Sequence, residues 1–335
     1  MTGAIILRTR DLCVAVPGSA GPVNAVRGLN MEVRRGETLG IVGESGCGKS
    51  LSALALAGLL PDRVNISGGT IELSGEDLRG LSARQWRSFH GRRIGMIFQD
   101  PMAALNPVLT IGEQLVEALL AHQRLSLANA REHAVHLLER VKLPDPRGCM
   151  FAYPHQLSGG MRQRVLIAIA IANKPDVLIA DEPTTALDAT VQAEILSLLA
   201  DLQRETQMSL VLITHDLGLV SRWVDRVVVM YAGKAVESLP GNDLLHQAEH
   251  PYTRALLAAR PVRRPTGHPR PRLAEIPGRV PPPIEPGNGC SFADRCNVAL
   301  PICRSVAPLP VVSGERQVWC HAPIRNSIVR ENVEA

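Results

Sequence analysis

This sequence predicts an α/β fold in which a parallel sheet carries a helical insertion and a small cysteine-containing C-terminal extension. Three observations lead there. Short apolar, β-rich runs at 37–42, 177–179, 210–213 and 227–230 alternate with helical stretches, the order of a parallel sheet with crossover helices. From Ile111 to about Leu143 the pattern changes: Leu115, Ala118, Leu119, Ala134, Leu137 and Leu138 recur at three- and four-residue steps, the spacing of one helix face. Directly after the first β-run, residues 43–50 read Gly-Glu-Ser-Gly-Cys-Gly-Lys-Ser.

That octet has the spacing of a phosphate-binding loop, and its setting is the one such a loop requires. A short apolar strand (37–42) precedes it, and an alanine- and leucine-rich helix, 51–60, follows. Gly43, Gly46 and Gly48 let the backbone curl so that N–H groups from Glu44, Ser45, Cys47 and their neighbours face phosphate oxygens. The helix starting near Lys49 and running on through Leu51 adds the positive end of its dipole. Lys49 is expected at the outer phosphates and the Ser50 hydroxyl on Mg²⁺. The chain is therefore expected to bind a nucleoside triphosphate.

Composition narrows the remaining classes. The net charge is +4, from 36 basic and 32 acidic residues among 335, too small an excess to argue for a nucleic-acid partner. No apolar run approaches the ~20 residues that cross a bilayer. The N-terminus lacks a basic start followed by a long apolar stretch, so no secretion signal is expected and membrane association is expected through a partner.

Two further segments carry chemistry. Residues 176–182 form an apolar strand ending in Asp181 and Glu182. After a phosphate loop, the first acid can serve the Mg²⁺ shell and the second can polarise the attacking water. Leu157, Ser158, Gly159, Gly160 and Met161 open another helix with a hydroxyl and two glycines, a second anion-binding helix start. Two phosphate cradles so far apart are hard to place in one site. If two chains pack head to tail, the cradle of one closes over the nucleotide of the other.

Taken together, these motifs resemble the ATP-binding subunits of ABC transporters: Walker A at 43–50, Gln99 in a Q-loop, the signature at 157–161, Walker B at 177–182, Ala186-Leu187-Asp188 as D-loop, and His215 after a strand. Phe98-Gln99-Asp100-Pro101-Met102, Thr214-His215-Asp216, His250-Pro251-Tyr252-Thr253 and Gly289-Cys290-Ser291-Phe292 are similar to the D-type chain of dipeptide and oligopeptide importers. The resemblance implies an ABC-type P-loop ATPase core over 1–240, with its helical subdomain at about 101–173. A helical, Pro/Arg-rich linker follows over 241–286 and a four-cysteine extension over 287–335. It implies ATP and Mg²⁺ as ligands, the metal held by Ser50, Gln99 and Asp181, and Glu182 as general base. His215 is then the γ-phosphate contact, and Asp188 couples the two sites. The implied partners are a second ATP-binding subunit (a related F-type chain or another copy), two transmembrane permeases and, indirectly, an extracytoplasmic substrate-binding protein. Its place would be the cytoplasmic face of the cell membrane, as a peripheral subunit. Cargo stays open among peptides, nickel chelates and some sugars. A soluble ABC-type ATPase of DNA repair or translation is the other reading; a single cassette, no heptad run and little excess positive charge count against it.

The cysteines of the tail, Cys290, Cys296, Cys303 and Cys320, follow the spacing C-x5-C-x6-C-x16-C. Four thiolates suit either Zn²⁺ or a [4Fe–4S] cluster, and the spacing matches no familiar run of either. Among the importers the sequence resembles, the corresponding cysteines are associated with an iron–sulfur cluster, which is the implied cofactor here. A metal-responsive tail that regulates the ATPase is compatible with transport.

One position departs from the family pattern. An early-strand aromatic usually stacks on adenine, whereas this alignment puts Val16 there, and the first 85 residues contain no Phe, Tyr or Trp. Base–aromatic stacking contributes about 1–3 kcal/mol, so weak adenine selectivity is expected. Val16→Tyr should tighten ATP binding by about that much in competition against GTP; an unchanged ATP affinity would remove the reading.

Overall fold

The computed structural model describes residues 3–19, 21–260, 275–281 and 287–324. The prolines and arginines of 261–274, residues 282–286 and the last eleven residues of the predicted extension lie outside them.

A long ribbon opens the chain, β1 (Ile5–Gly18) against β2 (Gly21–Arg34), antiparallel and repeatedly bulged. β3 (Thr38–Val42) leads into the phosphate loop and α1 (Lys49–Ala57). β4 (Asn65–Leu73) and β5 (Glu76–Asp77) complete a four-stranded antiparallel sheet in the order β2-β1-β4-β5. Next come α2 (Ala83–Phe89), which opens with a Ser82–Gln85 capping box, and β6 (Ile94–Ile97).

The helical insertion follows as α3 (Pro101–Ala104), α4 (Ile111–Leu120), α5 (Leu127–Arg140), α6 (Pro146–Cys149) and α7 (Gly159–Ile171). The single helical stretch expected from Ile111 to about Leu143 is two helices. Thr110 and Glu113 form a capping box at the start of α4, and Ser126 starts α5 by accepting from the Asn129 N–H. Each is a local device that restarts the chain as a helix irrespective of the apolar spacing across the break.

The core resumes with β7 (Val177–Asp181), α8 (Ala189–Thr206), β8 (Ser209–Ile213), α9 (Leu217–Trp223), β9 (Arg226–Tyr231) and β10 (Lys234–Pro240). α10 (Leu244–Gln247) and α11 (Pro251–Ala258) close this part. The tail adds β11 (Val311–Ser313) and β12 (Arg316–Val318). The second sheet runs β11-β12-β10-β9-β3-β8-β7-β6, and β6, β7, β8, β3 and β9 are parallel. The tail thus extends the edge of the main sheet, where Glu237 of β10 pairs with Val318 of β12.

Both faces of the parallel strands are covered, which is why they read as unbroken apolar runs. Alternate residues go to opposite cores. Leu39, Ile41, Val177, Ile179, Val211 and Ile213 pack with α1 and the antiparallel sheet. Leu178, Ala180, Leu210 and Leu212 pack with α7, α8 and the helical insertion.

His250 fixes the start of α11 from the interior. Its Nδ1 accepts the Tyr252 N–H at 3.1 Å, so the neutral ring must carry its proton on Nε2. Burial lowers its pKa from 6.5 to about 4. The folded value is depressed, so the contribution is complete above about pH 6.5 and is lost as pH falls toward 4, where the unfolded chain takes up the proton first. The full swing is at most about 3 kcal/mol. Stability measured by denaturant between pH 7 and 4.5 should fall less steeply in His250→Asn, which keeps a capping acceptor and does not titrate; equal slopes would contradict this account.

Candidate active site

The chemistry collects where β3, β6, β7 and β8 end, at the carboxyl edge of the parallel sheet, the usual ligand edge of such folds. The phosphate loop leaves β3 at Val42. Gly43 (φ +153°) passes so close to β9 that a Cβ there would lie 2.2 Å from the Met230 carbonyl oxygen. Gly48 (φ +101°) is the left-handed residue before α1, and no side chain caps that helix, so its first N–H groups remain available to an anion. Cys47 is fully buried beneath the loop, and burial pushes its thiol up in pKa; Ser45 and Gly46 are exposed at the tip. The Lys49 ammonium is 2.8 Å from the Gly43 carbonyl and 3.0 Å from that of Glu44, donating to both.

The Ser50 hydroxyl donates to Asp181 Oδ1 at 3.1 Å, joining the start of α1 to the end of β7. Asp181 is 5 % exposed, and burial, reinforced by Glu182, raises its pKa against the lowering effects of Ser50 and Lys49. A buried carboxyl facing a hydroxyl is a hard oxygen pair that suits Mg²⁺, with phosphate and water oxygens completing the shell. The residues fit that ion.

Glu182 holds a left-handed conformation (φ +46°), and its N–H donates to Ile213 at the end of β8. Three groups meet its Oε2. Gln99 Nε2 donates at 3.2 Å, Thr185 Oγ1 donates at 2.8 Å, and His215 Nδ1 lies 3.3 Å away. The expected site residues Lys49, Ser50, Gln99, Asp181, Glu182 and His215 are therefore brought together. Thr185 was missed, since a threonine three residues past an acid carries no signal of its own.

The second cradle sits apart. Ser158 caps α7 by accepting the Met161 N–H, and Leu157 is buried beneath it while Ser158 and Gly159 are exposed. Asp188 caps α8 by accepting from the Thr190 and Val191 N–H groups. The two helix starts touch: a Cβ on Gly160 would lie 2.9 Å from Val191, and one on Gly159 would lie 3.4 Å from Leu187. Among the described residues, no hydrogen bond joins 157–161 to the phosphate loop.

The cysteine centre expected in the tail is not built as a metal site. No group of three or more His, Cys, Asp or Glu among the described residues is placed to hold a metal ion. Burial first, then Cys290, Cys296 and Cys303, pushes the Cys320 thiol up to about 11. Cys290, Cys296 and Cys303 each belong to backbone-bonded turns, and the Cys290 N–H donates to the Cys303 carbonyl at 2.7 Å.

This arrangement defines a P-loop nucleoside triphosphatase. Residues 26–185 match the ABC transporter family, and residues 236–303 match the oligopeptide/dipeptide transporter C-terminal region. The chain is 47% identical over 304 residues to the dipeptide transport ATP-binding protein DppD of Bacillus subtilis, covering 90% of each. It is 45% identical over 320 residues to the protein of that name from Escherichia coli, covering 95% of this chain and 97% of the relative. Among solved structures it resembles the dimeric, ADP- and Pi-bound post-hydrolysis state of the ATP-binding cassette MJ0796, with a TM-score of 0.64 and 26% identity over 70% of this chain and 98% of that one. The chain belongs to the ATP-binding subunits of the peptide ABC transporter family, and it is an ABC-type ATPase that uses ATP and Mg²⁺.

Proposed function

We propose that this chain hydrolyses ATP to energise import of dipeptides or oligopeptides, working as a peripheral subunit at the cytoplasmic face of the membrane. The observation that carries the reading is the convergence of Gln99, Thr185 and His215 on one oxygen of Glu182, beside the Ser50–Asp181 pair. These contacts support the reading of Glu182 as the base for water. The near full-length likeness to dipeptide transport proteins supports the cargo class.

Lys49 and the loop N–H groups of residues 43–51 bind the β- and γ-phosphates. Ser50, Asp181 and Gln99 hold Mg²⁺, which when bound neutralises charge on the phosphate oxygens. Glu182 takes the proton of the attacking water, and His215 contacts the γ-phosphate. Residues 157–161 close over the nucleotide of a second ATP-binding subunit, of F type or a copy of this chain, and Asp188 beside them couples the two sites. The separation of this cradle from the phosphate loop within one chain favours such a head-to-tail pair.

Two permease subunits, served by an external binding protein, are the proposed load. Exposed Met102, Val108, Leu127 and Phe151 on the helical insertion are apolar side chains available to such partners. No helix among the described residues is long and apolar enough to cross a membrane, which fits a subunit recruited by such partners.

In the tail, the thiol donor chemistry alone supports the finer proposal of a [4Fe–4S] cluster, with Zn²⁺ as the alternative. Protein purified without oxygen should contain iron and labile sulfide in equal amounts. Zinc alone would select the alternative, and neither metal would dismiss the centre.

Glu182→Gln should lower kcat for ATP by at least about 10²-fold while ATP still binds, because the lost group acts in proton transfer. Equilibrium nucleotide binding and phosphate release measure the two effects. Hydrolysis at the wild-type rate would remove Glu182 from the role of base.

A further inference from the structure

The tail reaches the phosphate loop through one side chain. Arg295 lies between Cys290 and Cys296, on the 3₁₀ turn Ala293–Arg295. Its guanidinium donates to both carboxylate oxygens of Glu44, from Nη1 at 2.7 Å and from Nη2 at 3.0 Å. Glu44 is the second residue of the phosphate loop, 251 positions away in sequence. The pair is partly buried: the Arg295 side chain is 6 % exposed and that of Glu44 27 %.

The remaining Arg295 donors are also used. Nε donates to the Pro277 carbonyl at 2.8 Å, Nη2 also to that of Ile276 at 3.2 Å, and the guanidinium lies 5.7 Å from the centre of the Tyr231 ring. The fork is thus aimed before it meets Glu44, and a bidentate charged pair of this kind fixes direction as well as distance. Phe292, three residues earlier in the same segment, is 2 % exposed. It stands 5.2 Å, ring centre to ring centre, from both Tyr231 and Tyr252.

Glu44 is consequently held at three points. Its carboxylate is gripped by Arg295, its N–H donates to the Tyr252 hydroxyl at 2.9 Å, and its carbonyl accepts the Lys49 ammonium at 3.0 Å. The last contact belongs to the nucleotide machinery itself. Nothing in binding phosphate requires a carboxylate at this position, and a negative charge beside the triphosphate is unfavourable unless it is neutralised. Arg295 supplies the neutralising charge and sets the backbone of the loop.

We propose that Arg295 is a positioning residue for the phosphate loop, acting through Glu44, so that ATP affinity depends on the cysteine segment being docked. The inference builds on the ATP site described above. It adds a physical link from the tail to the nucleotide that is independent of whether the thiols carry a metal.

The test uses the full-length chain and the probe MgATP. Arg295→Gln and Glu44→Gln should each raise KM for ATP about tenfold, leave kcat within about twofold, and raise the Kd for MgATP in step with KM. Combining them should cost no more than the worse single change, because both remove the same pair. Arg304→Ala, which removes the exposed 3.0 Å pair with Asp294 in the same tail, should leave KM unaltered and so separates loop positioning from general weakening of the segment. Arg295→Lys keeps the charge without the fork, and an intermediate KM is expected from it, which serves as the readout if Arg295→Gln fails to fold. An unchanged KM in Arg295→Gln, additive effects in the double variant, or an equal rise in Arg304→Ala would overturn the proposal. None of these results bears on whether Glu182 acts as base, so the two readings fail separately.

Discussion

A buried ammonium governs this molecule's working edge. Lys49 is 5 % exposed, and a charge placed so deeply is tolerated only where acceptors already face it. The acceptors are the carbonyls of Gly43 and Glu44, and they face inward because Gly43 takes a conformation that a side chain would deny it. The Met230 carbonyl occupies the space a Cβ would need. From that one close approach follow the curl of the loop and the left-handed entry at Gly48. The uncapped start of α1 then falls opposite Asp181, whose buried carboxyl gains from the positive charge nearby.

The parallel sheet makes this geometry stable. β3, β7 and β8 are buried at every position, so a slip in register would exchange residues between two cores that have different partners. Their ends are therefore fixed relative to one another. Side chains from the ends of β6, β7 and β8 consequently meet on a single carboxylate oxygen although they stand far apart in sequence.

The same burial explains what the sequence discloses. Strands covered on both faces read as short apolar runs, so 177–179, 210–213 and 227–230 were visible, as was the loop with its fixed glycines. The break between α4 and α5 was hidden, because apolar spacing continues past it and only Ser126 marks the restart. α2 was hidden as well, although its Ser82–Gln85 capping box was there to be read. Strand β11 carries the exposed residues Val311 and Val312; it exists by pairing with β12, and β12 by pairing with β10, which no local pattern announces. In the site, residues fixed by motif spacing were legible, whereas Thr185, Tyr252 and Arg295 were not. Their roles arise from contacts that only the folded chain creates.

Glu182 joins these levels. A left-handed conformation costs a residue with a side chain about 1–2 kcal/mol, and here it is maintained by the N–H bond to Ile213 at 2.9 Å and by the contacts on Oε2. Those contacts come from three loops that follow three different strands. Gln99 sits two residues before α3 of the helical insertion, and His215 two residues before α9. Gln99 and His215 thus tie the insertion and the start of α9 to the same carboxylate oxygen. The insertion is thereby joined to the end of β7 through one oxygen, without an additional relay.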